Sequence, residues 1–191
     1  MIGLIRSFIA INIPDTVKSE LASLILLLGK TGADVKWVRT ENLHLTLKFL
    51  GGITEDQIRR VIGCLKEIAM GQKPFSIHLA GLSGFPNMEH PRVLWVGIEG
   101  GAEAMKELSE RIEIGMRLIG FPRKERSFSS HLTMGRVKSG KNLQKLLDLM
   151  QKTPFSSMKR IGIDQVSFYK STLTPAGSVY EVISQCTFGG T

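Results

Sequence analysis

Thiols are nearly absent from this chain. Its two cysteines, Cys64 and Cys186, stand far apart with no CxxC or CxH spacing, which argues against a disulfide framework and offers no thiolate zinc set. Both are read as buried thiols. Long apolar runs are missing too. The stretch from Leu21 to Leu28 is far short of a bilayer span, and the apolar N-terminal stretch from Met1 to Ile13 is interrupted by Arg6 and lacks a convincing cleavage site. A cytoplasmic protein with no membrane contact is therefore expected. Low-complexity and disorder-prone segments are absent. Acidic residues are the minority charge, 17 against 25 Lys and Arg, for a net charge of +8. That balance favours a polyanionic partner, because clustered cations concentrate phosphate-bearing ligands, but it does not name one. With 42% hydrophobic and 22% charged residues over 191 positions, the chain can bury the core of one domain or of two small, packed lobes.

Histidine is also scarce, four residues in all, yet two of the four fall in one repeated pattern: His44-Leu45-Thr46-Leu47 and His131-Leu132-Thr133-Met134. In an extended strand, residues two apart project from the same face about 7 Å apart, so each motif presents an imidazole beside a hydroxyl. Leu43, Leu45, Leu47 and Phe49 alternate with His44, Thr46 and Lys48, the period of a strand with one buried face, which places Lys48 on the polar face with His44. Leu132 and Met134 repeat the alternation in the second copy. Near neutral pH only an imidazole gives and takes a proton cheaply.

The spacing predicts a strand over 7–13, a helix from about Pro14 to Gly29, and a strand carrying the first motif. A helix then begins at Thr54, with Gln57 as capping-box partner, and runs to about Met70. A strand over 75–80, a Gly and Pro turn region over 81–91, a strand over 92–98 and a helix over 101–119 follow. The basic loop over 122–127 leads into the second motif's strand. A helix over 142–151 and a closing hairpin over 161–169 and 178–187 complete the chain. The second half thus resembles the first. An internal duplication, about 1–72 and 73–191, predicts a single bilobal α+β domain: two lobes related by an approximate twofold, each an antiparallel sheet backed by helices, with the active cleft between them. Two acid/base groups on opposite walls reach opposite sides of a phosphorus centre, as in-line displacement requires.

The two HxTx motifs resemble those of the two-histidine phosphoesterases. The longer strings HLTLKFLG, PRVLWVG, HLTMGR and STLTPAGSVYEV, with the opening RSFIAINIP, are similar to its bacterial and archaeal branch, the RNA 2′,3′-cyclic phosphodiesterases first described as 2′-5′ RNA ligases. The resemblance implies a metal-independent enzyme, without cofactor, that opens a 2′,3′-cyclic phosphate at an RNA 3′ end to leave a 2′-phosphate. It implies that His44 is the general acid at the departing 3′ oxygen and His131 the base that activates water. Thr46 and Thr133 then hold the non-bridging oxygens. Positioning, proton transfer and oxyanion stabilisation suffice for such a reaction. Arg92 and Arg136 are candidate bidentate contacts to phosphate, with solvated surface charge as the alternative for each. The expected partner is RNA with a cyclic phosphate end, tRNA fragments and small cyclic nucleotides included, and the expected state is a monomer.

Two positions depart from the family pattern. Ser130 stands where Pro is common and Gly135 where Ala is common, which bears on substrate fit more than on proton transfer. His78 and His90 lack the motif context and are read as structural or exposed. Trp37 and Trp95 are candidates for base stacking or for the core. Arg123, Lys124 and Arg126 are candidates for the RNA backbone, with loop solvation as the equal alternative. Two other functions stay open: ligation of a cyclic phosphate end to a 5′-hydroxyl in a 2′-5′ linkage, and a non-catalytic RNA-binding module.

Overall fold

The computed structural model describes residues 3–123, 129–175 and 177–189. In chain order these residues form β1 (Ile5–Asn12), α1 (Asp15–Gly29), β2 (Val35–Trp37), a 3-10 turn at Thr40–Asn42, β3 (His44–Ile53), α2 (Glu55–Met70), β4 (Phe75–Phe85) and β5 (Val93–Gly100). They continue with α3 (Ala102–Leu118), β6 (His131–Val137), α4 (Leu143–Lys152), β7 (Ile161–Ile163), β8 (Gln165–Thr174) and β9 (Gly177–Thr187).

Local chemistry accounts for most of these boundaries. Thr54 caps α2 reciprocally, its hydroxyl accepting from the Gln57 N–H at 3.2 Å while the Gln57 side chain accepts from the Thr54 N–H at 2.9 Å. Glu55 and Asp56 complement the positive end of that helix. Pro14 stands just ahead of α1, where its missing N–H costs nothing. Two expectations are corrected and one strand is new. The strand expected over 161–169 is divided, β7 pairing with β4 in one sheet and β8 with β1 and β9 in the other. The segment from Gly81 is not a turn: β4 runs on to Phe85, and Gly81, at φ 74°, is a bulge at which the register with β5 slips by one residue. The strand β2 has no sequence signal, because three residues are too few to establish a period.

Two antiparallel sheets result, with strand orders β3-β1-β8-β9 and β2-β6-β5-β4-β7. Within them β3-β1-β8 matches β6-β5-β4: in each case the motif strand lies beside a central strand, β1 or β5, that pairs on its other side with a third antiparallel strand. The helices cross over in the same sense. α2 and α3 pack together against β8, β9 and β3, while α1 lies against α4 and beside β2, where Trp37 packs next to Gly29. The molecule is thus an α+β fold of two lobes related by an approximate twofold. The helix-facing residues of both sheets, among them Ile9, Leu45, Leu47, Leu94, Leu132 and Met134, join one buried apolar cluster with Leu65 and Ile112. The opposite faces carry the polar residues of the motifs. Among the described residues no helix is long and apolar enough to cross a membrane.

Candidate active site

Both motif histidines occupy the first position of their strands, and both are locked in the same way. The Nδ1–H of His44 donates to the Asn42 carbonyl at 2.7 Å, and that of His131 donates to the Ser129 carbonyl at 2.7 Å. A carbonyl only accepts, so in each neutral ring Nε2 holds the basic lone pair. The first lock is itself anchored, since the Asn42 side-chain amide donates to the Ser178 carbonyl on β9 at 2.8 Å.

Aromatic rings hold the two imidazoles. Phe8 stacks on His44 at 4.9 Å and 28°, and Tyr180 meets it edge-on at 5.4 Å. Phe85 meets His131 edge-on at 4.9 Å. Burial pushes the pKa of His44 down to about 4; the Asn42 carbonyl opposes the shift and the nearby Lys18 adds to it. His44 is therefore neutral in the unliganded protein at pH 7.

β3 and β6 meet across a cleft of about 300 Å³ whose lining includes His44, Thr46, His131, Thr133, Arg136 and Phe49. Two matching bulges decide which side chains arrive there. On β3, Thr46 pairs with Ala10 but Lys48 with Ile9; on β6, Thr133 pairs with Trp95 but Gly135 with Leu94. The extra residue is Leu47 in one strand and Met134 in the other, three positions after each histidine. Past the bulge the alternation inverts. Phe49 and Arg136 consequently reach the cleft, and Lys48 does not.

This corrects the expectation for Lys48. Its ammonium is buried behind β3, 2.8 Å from both carboxylate oxygens of Glu113 on α3 and 3.0 Å from the Pro122 carbonyl. Arg92 is also not brought to the cleft. It is exposed, and its ties to the site are through backbone: its N–H donates to the Phe85 carbonyl and its carbonyl accepts from the Val137 N–H. Trp37 lies over Gly135, and Trp95 packs between Phe85 and His131, so both are structural. His78 bonds Ser156 at 2.8 Å away from the cleft, and His90 is exposed in a turn. Arg123 lies beside Glu110 and Arg117 on another surface; Lys124 and Arg126 fall outside the described residues. Among the described residues no group of three or more His, Cys, Asp or Glu side chains is placed to hold a metal. Sequence reasoning missed Phe49, Phe85 and Tyr180, the aromatic part of the cleft; strict alternation hid the first, and the other two come from strands distant in sequence.

The family profile described as LigT like phosphoesterase matches residues 11–95. An RNA 2′,3′-cyclic phosphodiesterase of Methanothermobacter thermautotrophicus is 34% identical over 92% of this chain and 95% of its own. Another, from Thermotoga maritima, is 36% identical over 97% and 96%. The chain belongs to the LigT-like phosphoesterase family. Its architecture agrees: a solved Thermus thermophilus protein superposes with a TM-score of 0.81 at 26% identity, covering 97% of this chain and 98% of that one. Escherichia coli LigT, solved with 3′-AMP, superposes at 0.79 with 18% identity and the same coverage, a likeness of fold. The family profile ends before His131, so the second half of the cleft stands on the geometry above.

Proposed function

We propose that this LigT-like protein hydrolyses 2′,3′-cyclic phosphates at RNA 3′ ends to 2′-phosphates, with His44 and His131 as the acid/base pair. The observation that carries the reading is the identical locking of two imidazoles, one on each wall of a single cleft, each beside a threonine hydroxyl. His131 Nε2 takes a proton from water as its oxygen bonds to phosphorus. The P–O3′ bond breaks, and protonated His44 Nε2 delivers its proton to the departing oxygen. Thr46 and Thr133 donate to the non-bridging oxygens, and the Arg136 guanidinium offsets the charge that develops there. An anion beside His44 raises its pKa, so binding of the phosphodiester loads the acid with its proton.

The cleft is of the size of a terminal nucleotide, which admits RNA ends, tRNA fragments among them, and small cyclic nucleotides alike. The same reading takes the protein as a cytoplasmic monomer that needs neither metal nor cofactor. It takes the chain as one bilobal domain arising by duplication. It takes the repeats as about 1–72 and 73–191, each contributing one motif strand and one of the two matching bulges.

The deciding experiment incubates the purified protein in EDTA with a short RNA ending in a 2′,3′-cyclic phosphate. A 2′-phosphate product is expected, and His44→Ala and His131→Ala are each expected to lose on the order of a hundred- to ten-thousand-fold in kcat with circular dichroism unchanged. A joined product on addition of a 5′-hydroxyl RNA would point to ligation, and binding without turnover to an RNA-binding module.

A further inference from the structure

The two histidines are locked alike, but the first lock carries a tie to a distant strand. The Asn42 carbonyl that holds His44 closes the 3-10 turn at Thr40–Asn42, which lies against β9. Two backbone bonds shape this turn: the Asn42 N–H donates to the Arg39 carbonyl at 2.8 Å and the Leu43 N–H to the Thr40 carbonyl at 3.2 Å. The Asn42 side chain then pins it to the sheet. Its amide donates at 2.8 Å to the Ser178 carbonyl, 136 residues away in sequence, and a carbonyl only accepts, so the amide nitrogen faces β9. Ser178 stands near the start of β9, just past a turn in which the Thr174 hydroxyl donates to the Gly177 carbonyl at 2.8 Å. The same strand sends Tyr180 edge-on to the imidazole. β9 thus supports His44 twice.

On the other wall the matching residue, two before His131, is Ser129, and among the described residues its hydroxyl makes no such bond. Stability gives the tie at Asn42 little reason. β9 is the edge of its sheet, where water can satisfy outward backbone groups, so the net gain from one such bond is small. Chemistry gives a better reason. The departing oxygen belongs to the bound sugar and cannot move to meet its acid, whereas an attacking water can move to meet its base. The acid is therefore the imidazole that has to be held in place, and misplacement by about 1 Å costs on the order of a hundred-fold in rate.

We propose that Asn42 is a positioning residue for His44: by bonding to Ser178 it fixes its own carbonyl, and through that carbonyl the imidazole, against the departing oxygen. This rests on the cleft being a cyclic phosphodiesterase site with His44 as the acid. The tie sets two properties of the ring. Orientation is the first, since the imidazole turns about its side-chain bonds once the carbonyl that holds Nδ1 moves. Tautomer is the second. Without a fixed acceptor at Nδ1 the proton can shift to Nε2, and that nitrogen then has no lone pair with which to take up the proton it must later deliver.

The test compares wild type with Asn42→Ala, Asn42→Asp and Asn42→Gln on a nucleoside 2′,3′-cyclic phosphate, and follows the His44 ring nitrogens of the unliganded protein at pH 7 by long-range proton–nitrogen NMR. Asn42→Ala is expected to lower kcat about ten- to a hundred-fold with KM within about two-fold of wild type. Its His44 is expected to report a mixture of tautomers where wild type reports Nδ1–H. Asn42→Asp has the same shape but cannot donate to the Ser178 carbonyl, so it is expected to lose kcat as Asn42→Ala does. Its carboxylate favours the charged imidazole, so an Asn42→Asp as active as wild type would show that local charge, not the tie, matters. Asn42→Gln keeps the donor and is expected to recover most of the loss. An unchanged kcat in Asn42→Ala overturns the proposal, as do equal losses in all three variants. A raised KM at constant kcat overturns it too, by making Asn42 a substrate contact. Identical His44 ring shifts in wild type and Asn42→Ala likewise overturn it. If the wild type opens no cyclic phosphate, the phosphodiesterase reading fails, and the ring shifts alone then decide whether Asn42 holds His44.

Discussion

At the scale of single residues, His44 couples the site to pH. Its folded pKa is about 4 against about 6.5 in an unfolded chain. Between those values the unfolded chain holds the proton and the folded one does not, so stability rises with pH across this window. The contribution is fully present above about pH 6.5 and is lost as pH falls towards 4, up to about 3 kcal/mol. Urea unfolding at pH 7 and pH 4.5 checks it: wild type is expected to lose more stability on acidification than His44→Gln does. The same shift sets the kinetics. The pH profile of kcat/KM, which reports free protein, is expected to show a limb near 4, below the neutral optimum that two ordinary imidazoles would give. The corresponding limb of kcat is expected at higher pH, because bound phosphate favours the charged ring. Coincident limbs in the two profiles would contradict the loading of His44 by its substrate.

At the scale of elements, the decisive device is the bulge in each motif strand, and Gly135 shows what it costs in sequence. A Cβ at that buried position would stand 2.7 Å from the Val35 side chain and 2.9 Å from the Trp37 ring, since β2 pairs with β6 and sets Trp37 directly opposite Gly135. The departure from alanine is thus matched by Trp37, which fills the space that a methyl group would need. Gly135→Ala is expected to lower stability by about 1–3 kcal/mol through overpacking. Pairing it with Trp37→Leu is expected to recover part of that loss, as measured by thermal unfolding. Full additivity of the two substitutions would show that they do not share this space.

At the scale of the whole molecule, Lys48 joins parts that sequence separates widely. From behind the first motif it binds Glu113 of α3 and the carbonyl of Pro122, where the chain leaves for the second motif. Its side chain is 5% exposed and that of Glu113 23%, so the attraction acts with little solvent screening, although desolvation offsets much of it. Removing one partner is the costly change. Lys48→Met is expected to destabilise by about 3–5 kcal/mol, and the double variant Lys48→Met with Glu113→Gln by clearly less. Loss of activity in the single variant at temperatures where it remains folded would show that this tie also positions the chain leading to His131.

The sequence by itself determined the order of the helices and longer strands, the capping of α2, the two motif strands and the family, because each of these depends on residues within a few positions of one another; it showed neither β2 nor the division between β7 and β8. It also identified the four motif side chains that the fold gathers in one cleft, since a period of two carries histidine and threonine to the same face without any partner strand. Tertiary structure decided the rest. Whether Lys48 or Phe49 faces the cleft depends on a register slip against β1, which is a property of two strands and invisible in either. Arg92 and Arg136 look alike in sequence, and only the path of β6 past its bulge separates the cleft residue from the surface one. The pairing of β1 with β8, and the edge of Tyr180 against His44, bring together segments more than a hundred residues apart. Burial and pairing at that distance are set by packing, which no local pattern encodes.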